Sequence, residues 1–313
     1  MRKLAPAFSR RMAGAVLLAL TLMPGPGLPL FAADLRQRRF ASVEEAMTAL
    51  VDAIKADNRK VLLDVLGPEG VTLVDSGDAV ADRNARQRFA AEYDRAHRFE
   101  GGGGKVVLHV GSDDFPFPIP LVPEGPAWRF DTRAGKEEIL NRRIGRNELH
   151  AIQVCLAYVD AQREYYSEDR NTDGLREYAQ RFASTSGKRD GLFWETKAGE
   201  MPSPLGPLVA QARIEGYGGA RAVTPVAYQG YYYRILTAQG PDAPDGAYDY
   251  LAHRRMIGGF ALVAFPAQYG VSGVMTFIVS HAGVVYQKDL GPNTAAIARG
   301  LRLFNPDGSW KKA

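Results

Sequence analysis

The sequence predicts an α+β fold built from two modules, and three observations support that prediction. The chain has 313 residues, which suits two domains of about 100–200 residues each better than one. In each half, apolar residues first recur at helical spacing and later at alternate positions, as expected of helices followed by strands. Its 46% hydrophobic and 24% charged residues are typical of globular proteins. We therefore expect an N-terminal module over residues 34–134 and a C-terminal module over residues 135–313.

Residues 1–33 are predicted to be a cleaved signal peptide. The apolar segment over residues 13–23 is far shorter than the roughly 20 residues that a membrane-spanning helix needs. Ala32 and Ala33 then provide a cleavage site of small residues. The basic start of the segment contains Arg2, Lys3, Arg10 and Arg11. We expect export to the periplasm or the medium, with no transmembrane segment in the mature chain; an uncleaved anchor is the alternative.

The charge of the predicted mature chain argues against nucleic-acid binding. The whole chain has a formal net charge of +4, and the leader alone contributes four basic residues and no acidic ones. The mature chain is therefore close to neutral, whereas nucleic-acid binding requires a clustered basic surface.

The N-terminal module is predicted to place helices on a small bent sheet. Ser42 and Glu45 form a capping box, which marks the start of the first helix. A second helix ends at residues 67–68, and a third begins near Asp82. We expect strands at 105–110 and 127–132. The prolines of segment 115–121 suit only a sheet edge or an irregular arm. This order of elements resembles the cystatin-like cone, of the nuclear-transport-factor type.

The C-terminal module is predicted to pack one long helix, residues 147–166, on an antiparallel β-meander. We expect shorter helices at 175–183 and 205–213. Four strands follow, at 231–237, 260–266, 274–280 and 284–289, and the tight connection at 281–283 makes the last two a hairpin. The apolar face of the long helix is predicted to comprise Leu149, Ile152, Cys155, Leu156, Val159 and Tyr166. Cys155 is the only cysteine, and this position favours a buried thiol over a reactive one.

Several segments of the C-terminal module resemble an exported bacterial family. They are Tyr232–Gly240, Met256–Ala264, Ser272–Phe277 and Val284–Leu290. The chain is identified on this basis as a member of the family catalogued as domain of unknown function 2950. The resemblance extends over nearly all of the predicted mature chain. It implies no activity, because that family has none assigned.

The C-terminal module is also similar to the globular head of type IV pilins and pseudopilins. The similar positions in the long helix are Asn147-Glu148, Ala151-Ile152, Tyr158, Ala161-Gln162 and Tyr165, and a short helix, a strand and a hairpin follow in the same order. A filament subunit needs an apolar helix directly behind its leader, whereas Arg142, Arg143 and Arg146 precede this helix. The resemblance therefore implies a pilin-like head without its filament anchor.

The strongest chemical motif is the segment 169–174, which matches the start of a calcium loop. Its oxygen-bearing side chains occupy loop positions 1, 3 and 5, and glycine occupies position 6. The bidentate glutamate expected at position 12 is replaced by Gln180. The motif predicts a calcium site, calcium being the only cofactor we expect, with a plain polar turn as the alternative. The predicted ligands are Asp169, Asn171, Asp173, Leu175 through its carbonyl, and Glu177.

Tyrosines crowd one predicted strand of the C-terminal module. Tyr231 and Tyr233 share one face of the strand, and Tyr232 lies on the other. An exposed row of tyrosines would suit an envelope protein or a glycan as partner, because rigid amphipathic rings add contact area at little entropic cost. We therefore predict a binding surface at these three tyrosines, with packing against the long helix as the alternative.

The sequence carries no clear catalytic constellation. The five histidines are scattered and form no zinc-ligand pair at helical spacing. Ser272 lacks the spacing of a nucleophile elbow, and residues 101–105 lack the Ser or Thr that ends a phosphate loop. We therefore expect a non-enzymatic binding or assembly factor of the envelope. The alternative is a periplasmic hydrolase or small-ligand-binding enzyme with its pocket in the N-terminal module or between the modules.

Overall fold

Helices and antiparallel strands share the chain, as an α+β fold requires. The computed structural model describes residues 36–218 and 226–313, so the predicted signal peptide lies outside the described residues. The helices are α1 (Val43–Lys55), α2 (Arg59–Leu66), α3 (Val71–Val74), α4 (Ala79–Arg95), α5 (Thr132–Tyr166), α6 (Gly206–Ile214) and α7 (Thr294–Gly300). The strands are β1 (His97–Gly102), β2 (Lys105–Val110), β3 (Phe115–Pro116), β4 (Leu121–Glu124), β5 (Ala127–Phe130), β6 (Tyr231–Leu236), β7 (Ala238–Gln239), β8 (Tyr248–Asp249), β9 (Leu251–Ala252), β10 (Arg255–Met256), β11 (Ala261–Pro266), β12 (Met275–Ser280), β13 (Val285–Asp289) and β14 (Lys311–Lys312).

The first hydrophobic core lies between helices α1, α2 and α4 and an antiparallel sheet ordered β1-β2-β4-β5. Ser42 caps α1 by accepting a hydrogen bond from the Glu45 amide at 3.1 Å. The Glu45 carboxylate reaches back to the amide of Ala41 at 2.9 Å, one residue before the cap. The capping-box sequence therefore does mark the start of this helix, as predicted. The resemblance to a cystatin-like cone stays a prediction.

The proline-rich segment forms the irregular edge that its composition predicts. β3 contains only two residues and pairs with the end of β2. Residues 117–120 form no regular strand, and Ile119 is buried in the first core. The amide of Phe117 still donates to the Leu108 carbonyl of β2 at 2.7 Å, but a proline has no amide hydrogen to donate, so the ladder beside β2 is interrupted between β3 and β4.

The second core is built on an antiparallel sheet ordered β6-β11-β12-β13-β14 within the described residues, which is also their order in the chain. Helix α5 packs on one face, against β11, β12 and β13. On the opposite face, Arg234 of β6 donates to the carbonyls of Ala298 and Leu301 at 2.7 and 2.6 Å, which holds the end of α7. The predicted meander and its last hairpin are confirmed, with Ile278 opposite Tyr286.

Helix α5 begins 15 residues earlier than predicted, at Thr132 instead of Asn147. Ile139, in its first half, packs against the first core, and the second half contributes to the second core. One continuous helix therefore joins the two cores. No helix in residues 36–218 and 226–313 is long and apolar enough to cross a membrane.

The predicted apolar face of α5 is partly wrong. Leu149 and Leu156 are 64% and 42% exposed, whereas Ala151 and Cys155 are fully buried. The sheet approaches the helix closely, so small side chains face it and the leucines lie to the side. Cys155 is buried as expected, and burial raises the pKa of its thiol to about 12.

The predicted helix over residues 175–183 is wrong, because buried Gln162 holds this segment in an irregular conformation. Its side chain accepts a hydrogen bond from the Ala179 amide at 2.8 Å and donates one to the Ala179 carbonyl at 2.7 Å. The amide of Tyr178 donates to the Met256 carbonyl at 2.7 Å. These backbone groups therefore find partners outside the segment instead of in a helical ladder.

Candidate ligand-binding site

A cavity of about 690 Å³ lies between the two cores. Helix α4 lines one side, helix α5 lines the other, and the segments around residues 215 and 229 close one end. A cavity of this volume lies within the range of small-molecule sites, about 300–1,000 Å³. Its polar lining residues are Ser76, Asp82, Asn84, Arg88, Glu92, Arg143, Arg146, Asn147, His150, Glu215 and Gln229.

Asp78 fixes the start of α4 relative to the second core. One carboxylate oxygen caps the helix by accepting from the Ala81 amide at 3.0 Å. The other oxygen accepts from the Tyr217 hydroxyl and from the Gly230 amide, both at 2.8 Å. A buried carboxylate with three donors is thus fully satisfied, and it positions the cavity wall that α4 provides.

Helix α5 presents three basic side chains and one amide to the cavity from a single face. Arg143, Arg146, Asn147 and His150 are spaced by three, four and seven residues, which places them on one side of a helix. Arg143 is immobilised by donating to the carbonyls of Thr72 and Leu73 at 2.7 and 2.6 Å. Asn147 donates to the Ser272 carbonyl at 2.9 Å, so it ties α5 to the second core.

The acidic groups of the cavity have partners, whereas two of its arginines form no ion pair with any residue that the structure describes. Arg95 donates to both carboxylate oxygens of Glu92 at 2.9 Å, and Gln229 donates to Glu215 at 2.6 Å. Within the described part of the chain, neither Arg88 nor Arg146 forms an ion pair. Burial first, and then the positive charges of Arg88 and Arg142, lower the pKa of Arg146. The two free guanidinium groups therefore repel each other at the same cavity.

Asp82 is a buried carboxyl group inside this cavity. Burial raises its pKa above the ordinary value, although hydrogen bonds from Ser76 and the charges of Arg143 and Arg86 act in the opposite direction. The Ser76 amide donates to one carboxylate oxygen at 2.9 Å. The native state therefore binds a proton at Asp82 more tightly than the unfolded chain does.

We expect the substitution Asp82→Asn to change the pH dependence of stability. Because the pKa of Asp82 is raised in the folded state, its contribution to stability is full at low pH and is lost as the pH rises. The wild-type protein should therefore lose stability relative to the variant as the pH rises above about 4, the ordinary pKa of an aspartate. Urea unfolding of both proteins across this range measures the difference. A difference that is independent of pH would contradict the assignment.

The cavity has the groups for binding an anion but lacks an assembled catalytic pair. Arginine presents a planar set of donors that matches a carboxylate or phosphate. The Ser76 hydroxyl bonds within its own turn, to the Asp78 amide at 3.4 Å and to the Asp82 side chain. Among the described residues, no hydrogen bond joins His150 to a hydroxyl or thiol that it could activate.

The predicted calcium loop is closed by an arginine from a distant strand. Arg255 of β10 pairs with both Asp173 and Glu177, and the Glu177 contact is 3.2 Å. The Arg255 hydrogen bond is the largest cause of the lowered pKa of Asp173. Asp169 accepts from the Gly174 amide at 2.8 Å, and Asn171 donates to Glu177 at 3.0 Å.

Two of the three predicted carboxylate ligands thus converge on a guanidinium group. Leu175 donates its amide to Asp173 at 3.1 Å. Gly174 has a φ of 87°, the positive value that a plain Asp-Gly turn requires. Among residues 36–218 and 226–313, no group of three or more His, Cys, Asp or Glu side chains could hold a metal ion. Calcium binding by this loop stays a prediction.

The three predicted surface tyrosines occupy different environments. Tyr231 is fully buried and donates its hydroxyl to the Met275 carbonyl at 2.9 Å, so it offers no accessible surface. Tyr232 lies on the opposite face, with its ring centroid 5.6 Å from that of Phe265. The Tyr233 hydroxyl is buried on the same side as Tyr231. The arrangement follows the packing alternative, and recognition of an envelope protein or glycan by these residues stays a prediction.

A pocket between the modules was predicted only as part of the alternative function, and its lining residues were not identified from the sequence. The spacing of Arg143, Arg146 and His150 would place these three residues on one face of a helix. The predicted helix began at Asn147, however, so it included only His150. Arg88 and Asp82 lie on α4, more than 50 residues away in the chain. Only the tertiary fold, which places α4 and α5 on two sides of one cavity, brings these residues together.

These features define an α+β protein with a polar, arginine-bearing cavity between two hydrophobic cores. The chain belongs to the family described as protein of unknown function (DUF2950), whose model matches residues 37–313. The family identified from the sequence is therefore confirmed. No curated protein and no solved structure matches the chain. The similarity to pilin heads stays a prediction.

Proposed function

We propose that this protein is an exported, non-enzymatic binding protein of the bacterial envelope, and that it holds a small anionic ligand in the cavity between its cores. The predicted signal peptide supports the location. The volume of the cavity, about 690 Å³, supports a small ligand. The carboxylate or phosphate group of this ligand lies between Arg88 and Arg146.

The unpaired state of Arg88 and Arg146 carries the proposal. Arg88 and Arg146 are both exposed at the surface of the cavity. Two positive charges held near each other still cost free energy, and a bound anion removes that cost. Arginine is also the residue best suited to this role, because its donors match both oxygens of a carboxylate or phosphate. The guanidinium group of Arg143 already donates to two backbone carbonyls. It therefore adds positive charge to the cavity but is not expected to contact the ligand directly.

An envelope enzyme is the second candidate, and one observation favours it. Asp82 has a raised pKa and shares the cavity with His150, as a general acid and base would. Among the described residues, however, His150 forms no hydrogen bond to a nucleophile. We therefore prefer a binding protein to an enzyme. If the purified protein chemically converted a bound anion, the enzyme would be the correct candidate.

Isothermal titration of the purified protein with inorganic phosphate, citrate and glucuronate tests the proposed function. We expect at least one of them to bind, and each of Arg88→Gln and Arg146→Gln to weaken binding about tenfold or more. Arg133→Gln is the matched control, because Arg133 is a highly exposed residue on the same helix, away from the cavity. Equal affinity in the double variant and the wild type, or no binding of any of the three anions, would overturn the proposal.

A further inference from the structure

A second cavity, of about 740 Å³, lies against the opposite side of residues 215–217. Helix α5 lines it with Val154 and Tyr158, and helix α6 lines it with Leu208 and Val209. No charged side chain lines it among the described residues. It therefore differs in chemistry from the arginine-bearing cavity, and the inference drawn from it is independent of the proposed function.

The packing around α6 is incomplete. None of the residues of this helix is fully buried, although its apolar residues Leu208 and Val209 pack against the second core. Protein interiors are normally filled to the density of organic crystals, and voids larger than a water molecule are few. This apolar space of about 740 Å³ is partly open at the surface, where Val226 is 59% exposed, and its size matches that of a small-molecule site.

Tyr233 lines this cavity and carries a hydrogen-bonding group without a partner. Its hydroxyl is buried, and it forms no hydrogen bond within residues 36–218 and 226–313. Its neighbours are satisfied: Tyr158 donates to the Ala261 carbonyl at 3.3 Å and Tyr217 to Asp78 at 2.8 Å. Burial raises the pKa of Tyr233 well above its ordinary value, so the hydroxyl keeps its proton and is a donor.

We propose that this cavity binds a neutral, mainly apolar molecule whose carbonyl oxygen accepts a hydrogen bond from Tyr233. The lining residues that the structure describes are uncharged, which favours a neutral ligand because a buried charge without a partner is costly. The unpaired donor selects an acceptor on the ligand, since a buried hydroxyl gains most from a bond that water cannot supply. The apolar walls bind the remainder of the molecule.

The fluorescent ketone 6-propionyl-2-dimethylaminonaphthalene has this chemistry and serves as the probe. We expect the purified protein to bind it with enhanced, shifted emission. Val154→Trp, which fills the cavity, should weaken binding about tenfold or more, and Val209→Phe is the second filling variant should the first not fold. Gln153→Trp is the matched control, because Gln153 is the exposed neighbour of Val154 on α5.

Tyr233→Phe tests the hydrogen bond separately. It should weaken binding of the ketone about threefold to tenfold and shift its emission to shorter wavelength. Binding of 2-dimethylaminonaphthalene, which lacks the carbonyl, should be unchanged. Arg88→Gln should affect neither probe, which separates this site from the anion site. No binding of the ketone to the wild type, equal binding to folded filling variants, or equal loss of both probes in Tyr233→Phe would overturn the proposal.

Discussion

Asp78→Ala is expected to lower the free energy of unfolding by about 4 kcal/mol, the largest single effect that the fold predicts. The alanine removes the cap of α4, worth about 1 kcal/mol. It also leaves the Gly230 amide and the Tyr217 hydroxyl without their acceptor in a buried position, and each bond to a charged group contributes about 1.5–3 kcal/mol. Urea unfolding followed by circular dichroism measures the change.

Two further variants separate these contributions. Asn58→Ala removes the cap of α2, where the side chain accepts only from the Val61 amide on an exposed surface, so it should cost about 1 kcal/mol. Tyr217→Phe removes one long-range bond from Asp78 and should cost about 1.5–3 kcal/mol. If Asp78→Ala cost no more than Asn58→Ala, the bonds to the second core would contribute nothing, and Asp78 would be a helix cap alone.

The strands of the second core could be predicted because their signals are local. Residues 261–266 form a continuous apolar run, residues 277–279 form a shorter one, and a tight turn at residues 281–283 follows the second run. The start of α1 could be predicted for the same reason, since both partners of the capping box lie within four residues of each other. The elements that these short-range patterns define are the ones that the structure confirms.

The residues that line the cavity between the cores could not be predicted, because they come from separate parts of the chain. Arg88 and Arg146 lie on different helices, and no local pattern links them. The loop that begins at Asp169 shows the same limit. Its sequence suits calcium, but Arg255, 82 residues beyond Asp173, occupies its carboxylates. In both the cavity and this loop, residues that are distant in the sequence determine the local electrostatics.

The face of α5 was misassigned for a different reason. Hydrophobic periodicity gives leucine more weight than alanine or glutamine, yet Ala151 and Gln162 are buried and Leu149 is exposed. Burial of Gln162 is stabilised by two hydrogen bonds to the backbone of Ala179. Hydrophobic periodicity takes no account of such a partner. A buried polar side chain is favourable where every bond is made.

The two glycines of α5 are expected to respond in opposite directions to alanine. A Cβ atom at residue 135 would lie 2.7 Å from the Ile119 nitrogen and even closer to the Pro118 carbonyl group. These are backbone atoms of the proline-rich arm and cannot move aside easily, so Gly135→Ala should destabilise the protein by about 2 kcal/mol. A Cβ atom at residue 145 would meet no atom within 4 Å. Gly145→Ala should therefore stabilise the helix by about 1 kcal/mol, because alanine loses less backbone entropy than glycine.

The pair is its own control, since both substitutions add one methyl group to the same helix. Urea unfolding of both variants beside the wild type measures the two shifts. Stabilisation by Gly135→Ala would show that α5 does not approach the arm as closely as the structure places it, and the contact between the long helix and the first core would need to be redrawn. Destabilisation by Gly145→Ala would instead argue against one continuous helix over residues 132–166, because alanine favours a helix at any exposed interior position. The opposite signs together are the result expected of a single helix that joins both cores and lies tightly against the backbone of the arm at its first turn.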